Sequence, residues 1–198
     1  MPLALLHHAL TTAVPDADAA TARAAAAALA PLFAAVELAR GAAVLRQGEH
    51  WRRALLIERG LLRMHFVRRD GREFNKNFFA EQALVCPLTP AMWEAASLFG
   101  ITCIEPTRLW RCDDVQWRAV LQAHGLWQPL QRELLARLLT AKLQREHDLL
   151  ALDGRRRYEA YCQRFPALAE RVPLMHLATY LGLTDVSLSR LRRAPGRD

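Results

Sequence analysis

The sequence predicts an α+β fold: a strand-rich N-terminal part closed into a roll, barrel or sandwich, then one long helix, then a small helical unit. Three observations carry the prediction. Between residues 36 and 112, short apolar runs are cut by turn signals at Arg40-Gly41, Gln47-Gly48, Arg59-Gly60 and Asp70-Gly71, the spacing of an all-β unit. From about 128 to 152 apolar residues recur at helical spacing, with Pro129 tolerated in the first turn and no breaker after it. Residues 173–193, PLMHLATYLGLTDVSLSRLRR, read as two short helices hinged on a glycine.

Composition bounds the function. The 198 residues are 52% hydrophobic and 24% charged, enough apolar surface for a buried core. Lys and Arg total 27 against 20 Asp and Glu, a formal charge of +7. Lysine occurs only as Lys76 and Lys142, so arginine carries the charge; arginine forks onto phosphate and guanine edges, although a GC-rich genome supplies it as well. No apolar run is long enough to span a bilayer. The start, MPLALLHHAL, lacks the basic flank of a secretory signal. Cys86, Cys103, Cys112 and Cys162 show no CxxC spacing, so a reduced, cytoplasmic protein without membrane contact is expected. Collagen, membrane channels, disulfide mini-proteins and zinc ribbons are excluded.

The elements follow in order. Residues 16–35 form an Ala-rich helix, capped by Asp16 or Asp18 and ended or kinked by Pro31. Asp70-Gly71 is a two-residue hairpin signal between 61–67 and 72–79. On the first arm Leu61, Arg63, His65 and Val67 face one way, and Leu62, Met64 and Phe66 the other. Further strands fit 43–46, 54–58, 83–86, 99–105 and 107–111. Asp113 or Asp114 caps a helix that Gly125 ends. The long helix carries two stripes, Leu134, Leu138, Ala141 and Leu152 beside Leu135, Leu139, Leu143 and Leu150. One stripe can pack on its own domain while the other meets a partner helix; the first is the expected dimer interface, and the alternative is a helix buried within one subunit. Asp153-Gly154 then breaks the chain. Residues 155–198 hold nine arginines against four acids, a net +5, so most of the positive charge sits in the last quarter.

In 173–193, Leu174, Leu177, Ala178 and Leu181 share a face, Gly182 supplies the turn, Thr184 or Asp185 caps the second helix, and Leu188 and Leu191 point to the core. That leaves Thr184, Asp185, Val186, Ser187, Ser189, Arg190, Arg192 and Arg193 outward. Arg190 suits the O6 and N7 of guanine. Ser187, Arg192, Arg193 and the backbone at Thr184 suit phosphates. A helical hairpin with a solvated basic face is the plainer alternative.

From about residue 30 to 193 the chain resembles the CRP/FNR-type transcription regulators. The resemblance rests on Gly41 with Gln47-Gly48-Glu49, on LLIERGLLRMHFVRRDGRE (55–73), and above all on RRYEAYCQRFPALAERVP (156–173) and HLATYLGLTDVSLSRLRR (176–193). It implies a double-stranded β-roll of the cupin or jelly-roll kind over 1–124, a dimerisation helix over 125–153 and a helix-turn-helix domain over 154–198. It further implies a homodimer reading double-stranded DNA, with RNA polymerase as a further partner and an effector in the roll.

The chain also departs from that pattern. Cyclic-AMP-binding members carry a phosphate cassette with a Gly-Glu and an arginine. Here the stretch reads FFAEQALVCPLTPAMWEAASLFGITCIEP (78–106), with no Arg or Lys between Lys76 and Arg108. Cyclic-AMP dependence is therefore not expected, and Met92, Trp93 and Phe99 read as core. No cysteine precedes Cys86 to hold an iron–sulfur cluster, and the histidines are scattered, so neither cofactor nor metal is expected. Asp185-Val186 stands where the best-known members have Arg-Glu, which implies a different operator. The chain reaches only Asp198, so the terminal wing strands are expected to be missing or short. A cupin-like enzyme would need a His/Glu cluster on facing strands, and His50 and His65 make no HxH pair. The remaining alternative is a homologue with weak or lost DNA binding that acts through a small ligand or a protein partner.

Overall fold

The computed structural model describes residues 2–193; the expectation about wing strands concerns residues outside them. The roll is two four-stranded antiparallel sheets. One runs β1 (Ala34–Leu38), β8 (Thr107–Asp113), β3 (Arg53–Arg59), β6 (Leu84–Val85); the other runs β2 (Ala43–Leu45), β7 (Gly100–Cys103), β4 (Leu62–Val67), β5 (Glu73–Phe79). The hairpin turns at Asp70-Gly71, where Gly71 has φ +79°, and pairs Val67 with Glu73.

Helices pack on the roll from both ends of the chain. α1 (Pro2–Ala13) and α2 (Ala19–Leu29) precede it; α3 (Pro90–Glu94) lies between β6 and β7; α4 (Asp114–Ala123) and α5 (Trp127–Ala151) follow. Asp18 caps α2 by accepting from the Thr21 N–H, and Asp113 caps α4 through Val115. The expected helix over 16–35 is thus shorter, ending at Leu29 in a 3₁₀ turn with Pro31. Its last residues belong instead to β1, which pairs along its whole length with β8. No sequence signal separated Ala34–Leu38 from the alanines before it. α1 was likewise not predicted, yet Leu6 and Leu10 are fully buried.

Three cores explain the sequence pattern. In β3 the unbroken apolar run 54–57 serves two of them by strand alternation: Ala54 and Leu56 face α1, α2, α4 and the start of α5, while Leu55 and Ile57 face the roll interior. That interior is filled by side chains. Trp51 meets Phe99 edge to face at 5.6 Å, with Leu62, Met64, Ile101 and Leu109 around them. Met92 and Trp93 pack against the first core, as core residues should.

The third core joins the C-terminal helices to the roll. α6 (Gly154–Arg164), α7 (Pro166–Arg171), α8 (Leu174–Leu181) and α9 (Asp185–Arg193) enclose Tyr161, Val172, Leu177, Ala178, Leu181 and Leu188, and the same cluster contains Leu61, Phe78 and Ile104 of the roll. The divisions placed after residues 124 and 153 fall between elements, but shared cores cross both.

The residues of the expected interface on α5 lie in different surroundings. Leu134 packs against the first core, because α5 starts beneath α1, and Leu135 packs there too. Leu138 and Ala141 line a groove against β5, and Leu152 is the non-helical C-cap. The leucines left in solvent belong to the other stripe: Leu139 and Leu143 are 58% exposed and Leu150 81%.

Candidate nucleic-acid interface

The helix-turn-helix forms as its residues dictate. α8 ends at Gly182, in the left-handed region at φ +67°, whose N–H donates to the Ala178 carbonyl; the Leu183 N–H donates to the same oxygen. The chain then re-enters a helix within two residues. Thr184, rather than Asp185, is the capping side chain: its Oγ1 accepts from the Ser187 N–H at 3.1 Å and shares a 2.8 Å hydrogen bond with the Ser187 hydroxyl. Leu188 is fully buried beneath Leu177, Ala178 and Leu181.

With Leu188 inward, the helical period fixes what faces out. Val186, Arg190 and Arg193 lie at positions i, i+4 and i+7 on the far side, all exposed, Val186 by 60%. Asp185, Ser187 and Arg192 are exposed on the flanks. Arg192 lies near the Tyr158 side chain. Ser189 is half-buried, not outward as expected, because its position flanks the packed face. Among the described residues no carboxylate pairs with Arg190, Arg192 or Arg193. The open face is therefore cationic, with an apolar spot at Val186.

The unit is held against the roll by polar contacts that sequence reasoning missed. Arg171 at the end of α7 clamps two roll carboxylates, Glu81 at 2.8 and 2.9 Å and Glu105 at 2.7 and 3.2 Å. Those hydrogen bonds hold the Glu81 carboxyl down at about 2 and raise Arg171 further above its usual range. Asn75 of β5, 2% exposed, donates to the Thr179 hydroxyl at 2.7 Å and the His176 carbonyl at 3.1 Å. Arg63 and His65, on the outward face of β4, are buried beside α8. Arg63 pairs with Glu73 at 2.6 Å, and His65 shares a hydrogen bond with Thr102 at 2.9 Å. Burial and the nearby Arg63 charge push His176 down to about 4. The alternation Arg63, His65 along β4 was the available signal: polar residues on a strand face that another domain covers.

Between α5 and α6, Asp148 accepts from Gln144 and pairs with Arg164. Arg145 donates to the carbonyls of Tyr180 at 3.0 Å and Asn75 at 3.4 Å, tying the long helix to both roll and α8. Around α3 the sequence expectation of no cation needs one amendment. Arg118 of α4 stacks over Trp93 at 4.2 Å, but it is already paired with the buried Asp114 at 3.1 Å. No group of three metal-ligating side chains occurs among the described residues.

Solved structures share this arrangement over most of the chain. FixK2 of Bradyrhizobium japonicum superposes with a TM-score of 0.69 at 15% identity, over 81% of this chain and 82% of its own. The c-di-GMP-responsive global regulator CLP of Xanthomonas campestris gives 0.69 at 16%, over 88% and 89%. Thermus thermophilus catabolite activator protein gives 0.55 at 19%, over 93% and 84%. The fold is that of the CRP/FNR-type regulators. No family model matches the chain, and no curated protein matches it in sequence. No described helix is long and apolar enough to cross a membrane.

Proposed function

We propose that this chain is a CRP/FNR-type transcription regulator that binds double-stranded DNA as a homodimer without cyclic AMP. The observation that carries the reading is the open face of α9: Val186, Arg190 and Arg193 in register, the two arginines without a carboxylate partner among the described residues, on a helix whose opposite face is locked by Leu188. Such a helix enters a major groove with its N-terminal half toward the bases. Arg190 is the base-reading side chain, Val186 is placed for a thymine methyl, and Thr184, Ser187, Arg192 and Arg193 hold phosphates. Asp185 is placed to accept from a cytosine amino group. Ser189 supports the helix rather than the DNA.

Two copies joined along Leu139, Leu143 and Leu150 would present two such helices to half-sites one helical turn apart, roughly 34 Å. A cyclic phosphate finds no free cation at α3, where Arg118 is engaged by Asp114. The roll interior is occupied by Trp51 and Phe99.

The test is selection of bound duplexes from a random-sequence pool by the purified chain, with no nucleotide added. The expected result is an enriched inverted repeat. Arg190→Ala should weaken binding to it by roughly 1–3 kcal/mol, about 5- to 150-fold, and relax preference at one position. Arg193→Ala should weaken all sequences alike and reduce the salt slope by about one. No enrichment in the presence or absence of cyclic nucleotides would overturn the reading in favour of a homologue acting through a protein partner.

A further inference from the structure

The joint between the long helix and the C-terminal helices encloses a cavity of about 20 Å³. It is lined by Arg145 and Asp148 of α5, Arg157, Tyr161 and Arg164 of α6, and Tyr180 of α8 among others. That volume holds one occupant the size of a water molecule and is too small for phosphate or an organic anion. The lining carries three cations and one carboxylate, and the carboxylate is committed: Asp148 accepts from Gln144 at 2.9 Å and pairs with Arg164. Arg145 and Arg157 give their terminal nitrogens to carbonyls, Arg145 to Tyr180 at 3.0 Å and Arg157 to Leu149 at 3.2 Å. Among the described residues no carboxylate lies within 4 Å of either. Three polar atoms of the lining residues are left over. The Arg145 Nε, the Arg157 Nε and the hydroxyl of Tyr161, itself 2% exposed, are each buried without a hydrogen-bond partner.

A buried donor without a partner costs free energy, most of all on a charged group. A water in the cavity satisfies donors but leaves two surplus positive charges uncompensated. A monoatomic anion accepts from the same donors and offsets one of those charges as well. We propose that this cavity is a halide site, taking one chloride ion held by Arg145, Arg157 and Tyr161. The ion joins α5 to α6 at the point where the helix-turn-helix begins to depend on both. The turn at Gly182 lies against the same joint, since a Cβ there would stand 3.2 Å from Leu149 and 4.0 Å from the Arg157 Nη1. Occupancy therefore braces the contact that sets the orientation of α9. That consequence rests on the function proposed above; the binding itself does not.

The test is the thermal midpoint of the full chain titrated with sodium chloride, with sodium gluconate making up a constant sodium concentration. Gluconate cannot enter so small a space, and constant ionic strength holds general screening fixed. A saturable rise of about 2–4 °C on exchange to chloride is expected, and bromide should reproduce it. Arg157→Gln and Tyr161→Phe should each reduce the rise. Arg156→Gln, which removes an exposed charge of the same helix outside the cavity, should keep it whole. Tyr161→Phe takes away only the unpartnered hydroxyl, so it decides alone should Arg157→Gln fail to fold. A midpoint that does not distinguish chloride from gluconate means that a water fills the cavity, and overturns the proposal. So does a rise kept in full by Tyr161→Phe or by a folded Arg157→Gln, which places the anion elsewhere. If the chloride response appears as expected while the duplex selection fails, the halide site stands and the DNA-binding reading falls.

Discussion

His176 and Glu81 sit on the same seam between the helix-turn-helix and the roll, and both are displaced from their ordinary values in a way that acid exposes. His176 is held at about 4 in the folded chain against 6.5 for a free histidine. The unfolded chain therefore takes up the proton first. Stability is fully present above 6.5 and falls as the pH drops from 6.5 toward 4. Arg63, Arg40 and His65 oppose a positive charge there, and Glu73 alone favours it. Glu81, held at about 2 against 4.5, continues the loss between 4.5 and 2. We predict that the thermal midpoint falls by a few degrees from pH 7 to pH 5, at most about 1.4 kcal/mol per pH unit from this histidine. His176→Gln should flatten that part of the profile and leave the decline below pH 4.5. A midpoint independent of pH in the wild type between 7 and 5 would contradict the buried, neutral His176.

Two turns at the scale of elements depend on glycine for different reasons. Gly60, between β3 and β4, has φ +112°, and a Cβ there would meet Thr107 Oγ1 at 2.5 Å, Thr107 Cα at 2.8 Å and the Pro106 carbonyl oxygen at 2.9 Å. Backbone atoms cannot step aside, so Gly60→Ala should cost about 2 kcal/mol or more of stability, read by urea unfolding. Gly182, in the helix-turn-helix, has φ +67°, and a Cβ there would meet the flexible ends of Leu149, at 3.2 Å, and Arg157, at 4.0 Å. Gly182→Ala should cost about 1–2 kcal/mol, chiefly backbone strain. Its effect should concentrate in the C-terminal helices, where amide exchange would quicken before it does in β3. The helix caps show the same local control: Asp18, Asp113, Asp153 and Thr184 each accept from a backbone N–H in the first turn of the helix they open.

For the whole molecule, the exposed stripe of α5 matters most. About 25 residues at ~1.5 Å rise make a helix of roughly 37 Å, and its solvent-facing leucines, Leu139, Leu143 and Leu150, lie along one side. Burying Leu143 in a second copy is worth about 1.5–3 kcal/mol per side chain, and a glutamate there reverses the sign. Leu143→Glu should convert a dimer to a monomer in light scattering, with an unchanged thermal midpoint at low concentration. Leu134→Glu, by contrast, should destabilise the monomer, because that side chain packs on the first core. If Leu143→Glu leaves the mass unchanged, the seam lies elsewhere.

The sequence by itself determined the elements whose cause is local. The hairpin at Asp70-Gly71, the capped helix at Asp113, the break at Asp153-Gly154, the long helix of α5 and the Ala178–Gly182–Leu188 spacing all follow from the residues that form them. So does the outward face of α9, because one buried leucine fixes the phase of a helix. Only the tertiary structure decided which apolar or polar stripe meets which neighbour. β1 was hidden among alanines because its partner strand, β8, lies far along the chain, with Leu38 paired to Thr107 and Ala34 to Arg111. The α5 stripes were visible, but the packing decided what stays free: the start of α5 gives one leucine of each stripe, Leu134 and Leu135, to the first core, and Leu139, Leu143 and Leu150 remain in solvent. Arg171, Glu81 and Glu105 carry no signal in spacing, since they meet across two domains. Arg145, Arg157 and Tyr161 come to share one cavity only because α5, α6 and α8 pack together. Local hydrogen bonding and period can be read along the chain, whereas pairing between distant segments depends on shape and burial that exist only once the chain is folded.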